Sequence, residues 1–167
     1  MRKGIIPAIL LAGFIVGSLD ILLAFLSAYL QRGTTPDKVL RYIASGVFDK
    51  KAFAASNTSM IAWGLFFHYV IALGFTMIFF FIFPRIKWMA ANKVITGILF
   101  GIAVWATMHF IVVPLSHTPG GGKFQLANML KSIAILVIAI GLPLSYFANR
   151  FYSIRHIVDV NRNKPPL

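Results

Sequence analysis

The sequence predicts an all-α membrane protein: a four-helix transmembrane bundle with a short amphipathic helix in its long first loop. Three observations predict it. Hydrophobic residues make up 59% of the 167-residue chain and charged residues only 12%, against about 45–50% and about 25% in soluble domains. A soluble protein of this size has no interior large enough for that apolar content, which excludes a soluble enzyme, a disordered chain and a secreted disulfide scaffold. Four runs are each long enough for a hydrocarbon core about 30 Å thick, which takes roughly 20 helical residues. None alternates at period two, as membrane barrel strands do.

The runs cover residues 5–30, 60–83, 94–115 and 126–147. Polar or basic residues punctuate them: Arg2-Lys3, Gln31-Arg32, Pro84-Arg85-Ile86-Lys87, Lys93 and Asn149-Arg150. The first run exceeds the ~7–15 apolar residues of a signal peptide, so it reads as a retained helix. Residues 1–150 form one integral-membrane domain, and 151–167 a frayed basic tail ending in Lys164-Pro165-Pro166.

The one long connection begins with Thr35-Pro36-Asp37, a helix start with Thr at the N-cap, Pro at the first helical position and an acid in the first turn. Val39, Leu40, Ile43 and Val47 then recur at helical spacing opposite Lys38, Arg41 and Ser45. An amphipathic helix over about 36–47, ending near Gly46, is expected to anchor at the interface or cap the bundle. Asn57-Thr58-Ser59 matches a glycosylation sequon, a triplet too frequent by chance to carry function. Pro119-Gly120-Gly121-Gly122-Lys123 lacks the spacing and preceding strand of a phosphate loop and reads as a turn.

Sixteen Lys and Arg face four Asp and no Glu, for a net charge of +12. The basic residues flank the apolar runs, where they set topology and attract anionic lipid headgroups. The expected partners are therefore the bilayer, anionic headgroups and a second copy in a homo-oligomer, with no nucleic acid. An even number of spans puts both termini on one side. That side holds nine basic residues against seven, which places the termini in the cytoplasm. The chain has no cysteine, so thiol chemistry and disulfides are excluded.

Gly13 and Gly17 in the first run, and Gly97 and Gly101 in the third, are GxxxG pairs. Such pairs let helix backbones approach where lipid gives no hydrophobic drive. Val70-Ile71-Ala72-Leu73-Gly74 also resembles Val137-Ile138-Ala139-Ile140-Gly141, a hint of a duplicated hairpin. Pro114 and Pro143 each remove a backbone donor inside a run, so kinks are expected there.

Any function must reside in the polar groups at membrane depth, where Asp or Lys costs about 2.5–3.5 kcal/mol. Asp20, His68, His109 and Lys131 are the candidates, one per run. At ~1.5 Å per residue they fall within about 4–8 Å of their midpoints, all in the half facing the first and third loops. A shared polar cluster follows, with Asp20 and His68 able to exchange a proton. The alternatives are a hydrogen-bonded clasp without substrate, or scattered residues. No catalytic serine motif is present. A histidine pair on adjacent spans is the arrangement that ligates haem b, but only one pair exists. Asp20, His68 and His109 have zinc-ligand chemistry without a zinc motif. No metal, cofactor or catalytic residue is therefore expected, haem b being the nearest exception.

Gly17-Ser18-Leu19-Asp20, Val39-Leu40-Arg41-Tyr42-Ile43-Ala44-Ser45-Gly46, His68 after Trp63-Gly64-Leu65, Val113-Pro114-Leu115-Ser116 and Gly141-Leu142-Pro143 together resemble uncharacterised bacterial four-span inner-membrane proteins. Phe83-Pro84-Arg85-Ile86-Lys87, and His109 followed by Pro114-Leu115, look more distantly like the YagU-like membrane proteins. The chain departs from the family pattern at Ala55-Ser56, where paired glycines are common, and at Leu136, where some relatives carry histidine. The resemblance implies a bacterial inner membrane and four spans, and no chemistry. The expected function is a small non-enzymatic inner-membrane protein with a polar cluster. The alternatives are a small transporter or channel using Asp20 and His68, then a haem-binding or lipid-modifying enzyme.

Overall fold

The structure is a computed structural model that describes residues 4–54, 58–119 and 125–162, with side chains as far as 154. Arg2-Lys3, Ala55-Ser56-Asn57, Gly120 to Lys123 and Lys164-Pro165-Pro166 lie outside the described residues. Four helices are long and apolar enough to cross a membrane: α1 (Ile5–Arg32), α3 (Ser59–Ile82), α5 (Lys93–Leu115) and α6 (126–162). Two shorter helices join them, α2 (Pro36–Phe48) and α4 (Lys87–Ala91). No strand occurs among the described residues. The chain is a multi-pass helical membrane protein, and its outward face is greasy: Leu11, Phe14 and Leu22 are each more than 60% exposed.

One end of the bundle is packed. Ile9, Ala12 and Val16 of α1, Phe79 and Phe80 of α3, Val104 of α5 and Leu144 of α6 share a single buried core. Ile9 is early in α1, whereas Phe80 is late in α3 and bonded by Tyr152, late in α6, so α1 runs antiparallel to α3 and α6. This is the terminus side; the connections after α1 and α5 define the loop side. Hydrogen bonds lock the packed end. Ser145 donates to the Lys93 carbonyl at 2.8 Å, Asn149 to that of Ala90 at 3.0 Å, and Tyr152 to that of Phe80 at 2.6 Å.

Glycine sets the closest approaches. Gly13 meets Leu73 and Thr76 of α3, and Gly17 meets Ala72 and Tyr69. Gly97 and Gly101 meet backbone and side-chain atoms of Val137, Gly141 and Leu142 on α6, and a Cβ at Gly141 would collide with the Gly97 carbonyl. Each GxxxG pair thus faces the next spanning helix along the chain. The similar segments 70–74 and 137–141 each lie against the preceding GxxxG pair, but their glycines differ. Gly74 faces open space and lies in regular helix, while Gly141 is wedged into α5 and ends a π turn.

Both intramembrane prolines are answered by such a turn. Residues 108–112 and 137–141 are π-helical, and the residue before each proline donates to the carbonyl five back, Val113 to Met108 and Leu142 to Val137. Proline cannot donate and its ring crowds the carbonyl four residues earlier, so one widened turn relieves the strain locally. The helix then continues. α6 runs to Arg162, well past the expected end at 147 and through the first part of the expected frayed tail. Tyr152 holds it there, its ring stacked 5.8 Å from Phe83.

Gly33, at φ 60°, ends α1, its N–H on the Tyr29 carbonyl and that of Thr34 on Ala28. Pro36 then opens α2 as the sequence predicts. The Thr35 hydroxyl makes no backbone cap and bonds the Asp37 carboxylate instead, holding it below the usual carboxylate range together with nearby backbone N–H groups. α2 ends at Phe48, one residue past the expected bound and two past Gly46. Gly46 serves close approach: its carbonyl accepts the His117 N–H, and Ser116 and Thr118 lie over it. The chain turns instead at Asp49, φ 52°. α2 is docked against α3, its Leu40 backbone so near Gly64 that no Cβ fits there.

Replacing Gly141 with Ala is expected to lower the thermal midpoint in detergent clearly, because the new methyl meets backbone. The same change at Gly74, which gains helix propensity in free space, leaves the midpoint equal or higher. Scanning fluorimetry of the two variants checks this; equal effects would remove the glycine seam from the account.

Candidate functional site

On the loop side the packed core gives way to a cavity of about 360 Å³ between the four spanning helices. Asp20 of α1, His68 of α3, Trp105 and His109 of α5, and Ser132 of α6 line it. Val39 and Ile43 of α2 also line it, so the loop helix caps the bundle. A second hollow of about 540 Å³ adjoins the first, with Asp20, Ala24, Val39, Ser132 and Leu136 lining both. It leads past Ser27 and Asn128 to Gln31, Arg32 and Lys38 at the loop surface. The result is a polar vestibule with cations at its mouth and one carboxylate at its base.

His68 is buried, and its Nε2 lies 2.8 Å from the Gly17 carbonyl oxygen. A carbonyl only accepts, so Nε2 carries the proton and Nδ1 is the basic nitrogen of the neutral ring. This bond depends on Gly17, where the missing side chain lets α3 close on α1. One residue on, Ser18 donates to the Phe14 carbonyl at 2.8 Å, and the Tyr69 hydroxyl reaches Ser18 Oγ at 2.8 Å. Asp20 is half-buried and interacts electrostatically with the His68 ring. No buried side-chain polar atom lacks a hydrogen-bond partner among the described residues.

The other two candidates differ. His109 lines the cavity at its outer edge, its ring stacked 5.1 Å from that of Trp105 at 9°. Lys131 faces outward and lines neither hollow, while its neighbour Ser132 lines both. Successive helical residues sit about 100° apart, so turning Ser132 inward turns Lys131 away. Its long stem then carries the ammonium toward water, which avoids burying an unpaired charge. The site is Asp20 with His68, flanked by His109.

The vestibule residues form a set that the depth argument missed. Asp20, Ala24, Ser27, Ala28 and Gln31 recur at spacings of three and four, as do Asn128, Ser132 and Leu136. That period is legible as a small, polar stripe on an apolar helix. Among the described residues no three His, Cys, Asp or Glu side chains form a group that would hold a metal. His68 Nε2, protonated toward Gly17, has no lone pair to offer a haem iron. What the lining side chains can offer chemically is a carboxylate, an imidazole and hydrogen-bonding hydroxyl and amide groups. No family model, curated protein or solved structure matches the chain.

Nitrogen NMR of a histidine-labelled sample is expected to find His68 in the Nε2–H tautomer at a pH where the ring is neutral. The Nδ1–H tautomer would contradict the bond to Gly17.

Proposed function

We propose that this protein is a small membrane transporter in which Asp20, coupled to His68, exchanges protons or a small polar solute with the loop side. One observation carries the reading: a polar vestibule runs from Arg32 and Lys38 down to Asp20, and the bundle beyond it is packed shut by Val16, Phe79, Val104 and Leu144. A site near mid-membrane, open to one side and sealed from the other, is half of an alternating-access cycle. A carboxylate at that depth is expensive unless it is used or neutralised. Protonation of Asp20 removes its attraction to His68, and so alters the force holding α1 to α3 at the level where the cavity begins. The resemblance to four-span bacterial proteins supports a bacterial inner membrane, and nine basic residues against seven support cytoplasmic termini. The likeness to the YagU-like membrane proteins is more distant.

A second, non-enzymatic reading also has an observation in its favour. The His68 bond to Gly17 and the Tyr69 bond to Ser18 clasp α1 to α3, and such bonds hold helices in register without any substrate.

Vesicles loaded with a pH dye and given a potassium-diffusion potential separate the two. Transport predicts a proton flux that falls at least tenfold in Asp20→Asn and persists in Lys131→Gln. Absence of flux in the native protein, or equal flux in native protein and Asp20→Asn, leaves the clasp.

A further inference from the structure

A third hollow, of about 720 Å³, lies on the outer α5–α6 face at the terminus side, remote from Asp20. Its lining divides by chemistry. Ile138, Leu142 and Tyr146 form an apolar floor at helical spacing, and Lys93, Arg150 and Ser153 form a polar head. Among the described residues no carboxylate lines it. Ile138 and Tyr146 are 60% and 52% exposed, so the floor faces whatever surrounds the bundle.

The cations are placed by structure. The Ser145 bond to the Lys93 carbonyl and the Asn149 bond to the Ala90 carbonyl pin the start of α5 against α6, so that the Lys93 backbone lies beside Ser145, about 7.5 Å along α6 from Arg150, and both cations line one hollow. Lys93 Nζ is 5.7 Å from the centre of the Tyr146 ring, which steadies the ammonium over the floor. From Arg150 to Ile138 the helix falls about 18 Å, close to the half-thickness of a hydrocarbon core about 30 Å across. The π turn at 137–141 and Pro143 interrupt the regular helix surface at the deep end.

We infer that this groove binds one anionic phospholipid, its phosphate held by Lys93 and Arg150 and an acyl chain lying along Tyr146, Leu142 and Ile138. Charge complementarity sets the headgroup class. A zwitterionic lipid brings a cation to a site that already holds two, and a free phosphate gains nothing from the apolar floor.

Native mass spectrometry of the full chain in detergent tests this, with phosphatidylglycerol, phosphatidylcholine or inorganic phosphate added. The native protein is expected to retain one phosphatidylglycerol, and Lys93→Gln/Arg150→Gln to bind it about tenfold more weakly. The Lys50→Gln/Lys51→Gln control is expected to bind as the native protein does. Equal retention of phosphatidylcholine, binding of phosphate alone, or an equal loss in the control would overturn the site. In the native chain, a photoactivatable phosphatidylglycerol should cross-link within 138–154; cross-links concentrated elsewhere would also overturn it.

Discussion

Backbone contact between spanning helices is the constraint from which the other features follow. In lipid there is no hydrophobic gain in bringing two apolar helices together, so adhesion comes from dispersion and hydrogen bonds at short range. Gly97, Gly101 and Gly141 allow α5 and α6 that range, and Gly13 and Gly17 allow it to α1 and α3. Bulky side chains then fill the terminus side, where Phe79 and Phe100 rings meet at 4.5 Å between α3 and α5. Toward the loop side Asp20, Ala24, Ser27, Asn128 and Ser132 interrupt the apolar lining, and space is left between the helices. The loop helix covers that space and does not fill it.

Polar side chains follow the same division. At the packed end they are short and spent on backbone carbonyls: Thr76 on Ala72, Thr96 on Met89, Ser145 on Lys93. At the open end they line hollows that reach the surface. His68 belongs to both regions, with one ring nitrogen committed to Gly17 and the ring bordering the cavity beside Asp20.

Much of the fold was legible because hydropathy is a property of each segment by itself. The four runs, the loop helix from Pro36 and the disturbance at both prolines all follow from local composition. What was not legible depends on rotation or on partners. Counting residues gives the height of Lys131 but not its direction, and one position, to Ser132, separates the outward face from the cavity. Gly46 reads as a stop until the loop after α5 is seen above it. Val70–Gly74 and Val137–Gly141 differ in one letter, yet only the second presses its glycine against another helix. The far end of α6 is held by Tyr152 on Phe80 and Phe83, a contact between segments some seventy residues apart.

The native absence of cysteine makes the central claim, a bundle open to water on one side of Asp20 and closed on the other, directly measurable. Single cysteines at Ser27, Ser132, Val16 and Thr76, in vesicles of known orientation, are treated from each side with a membrane-impermeant thiol reagent. The account predicts labelling of Ser27→Cys and Ser132→Cys from the loop side only, and of Val16→Cys and Thr76→Cys from neither. Protection of the first pair, or reaction of the second, would contradict it.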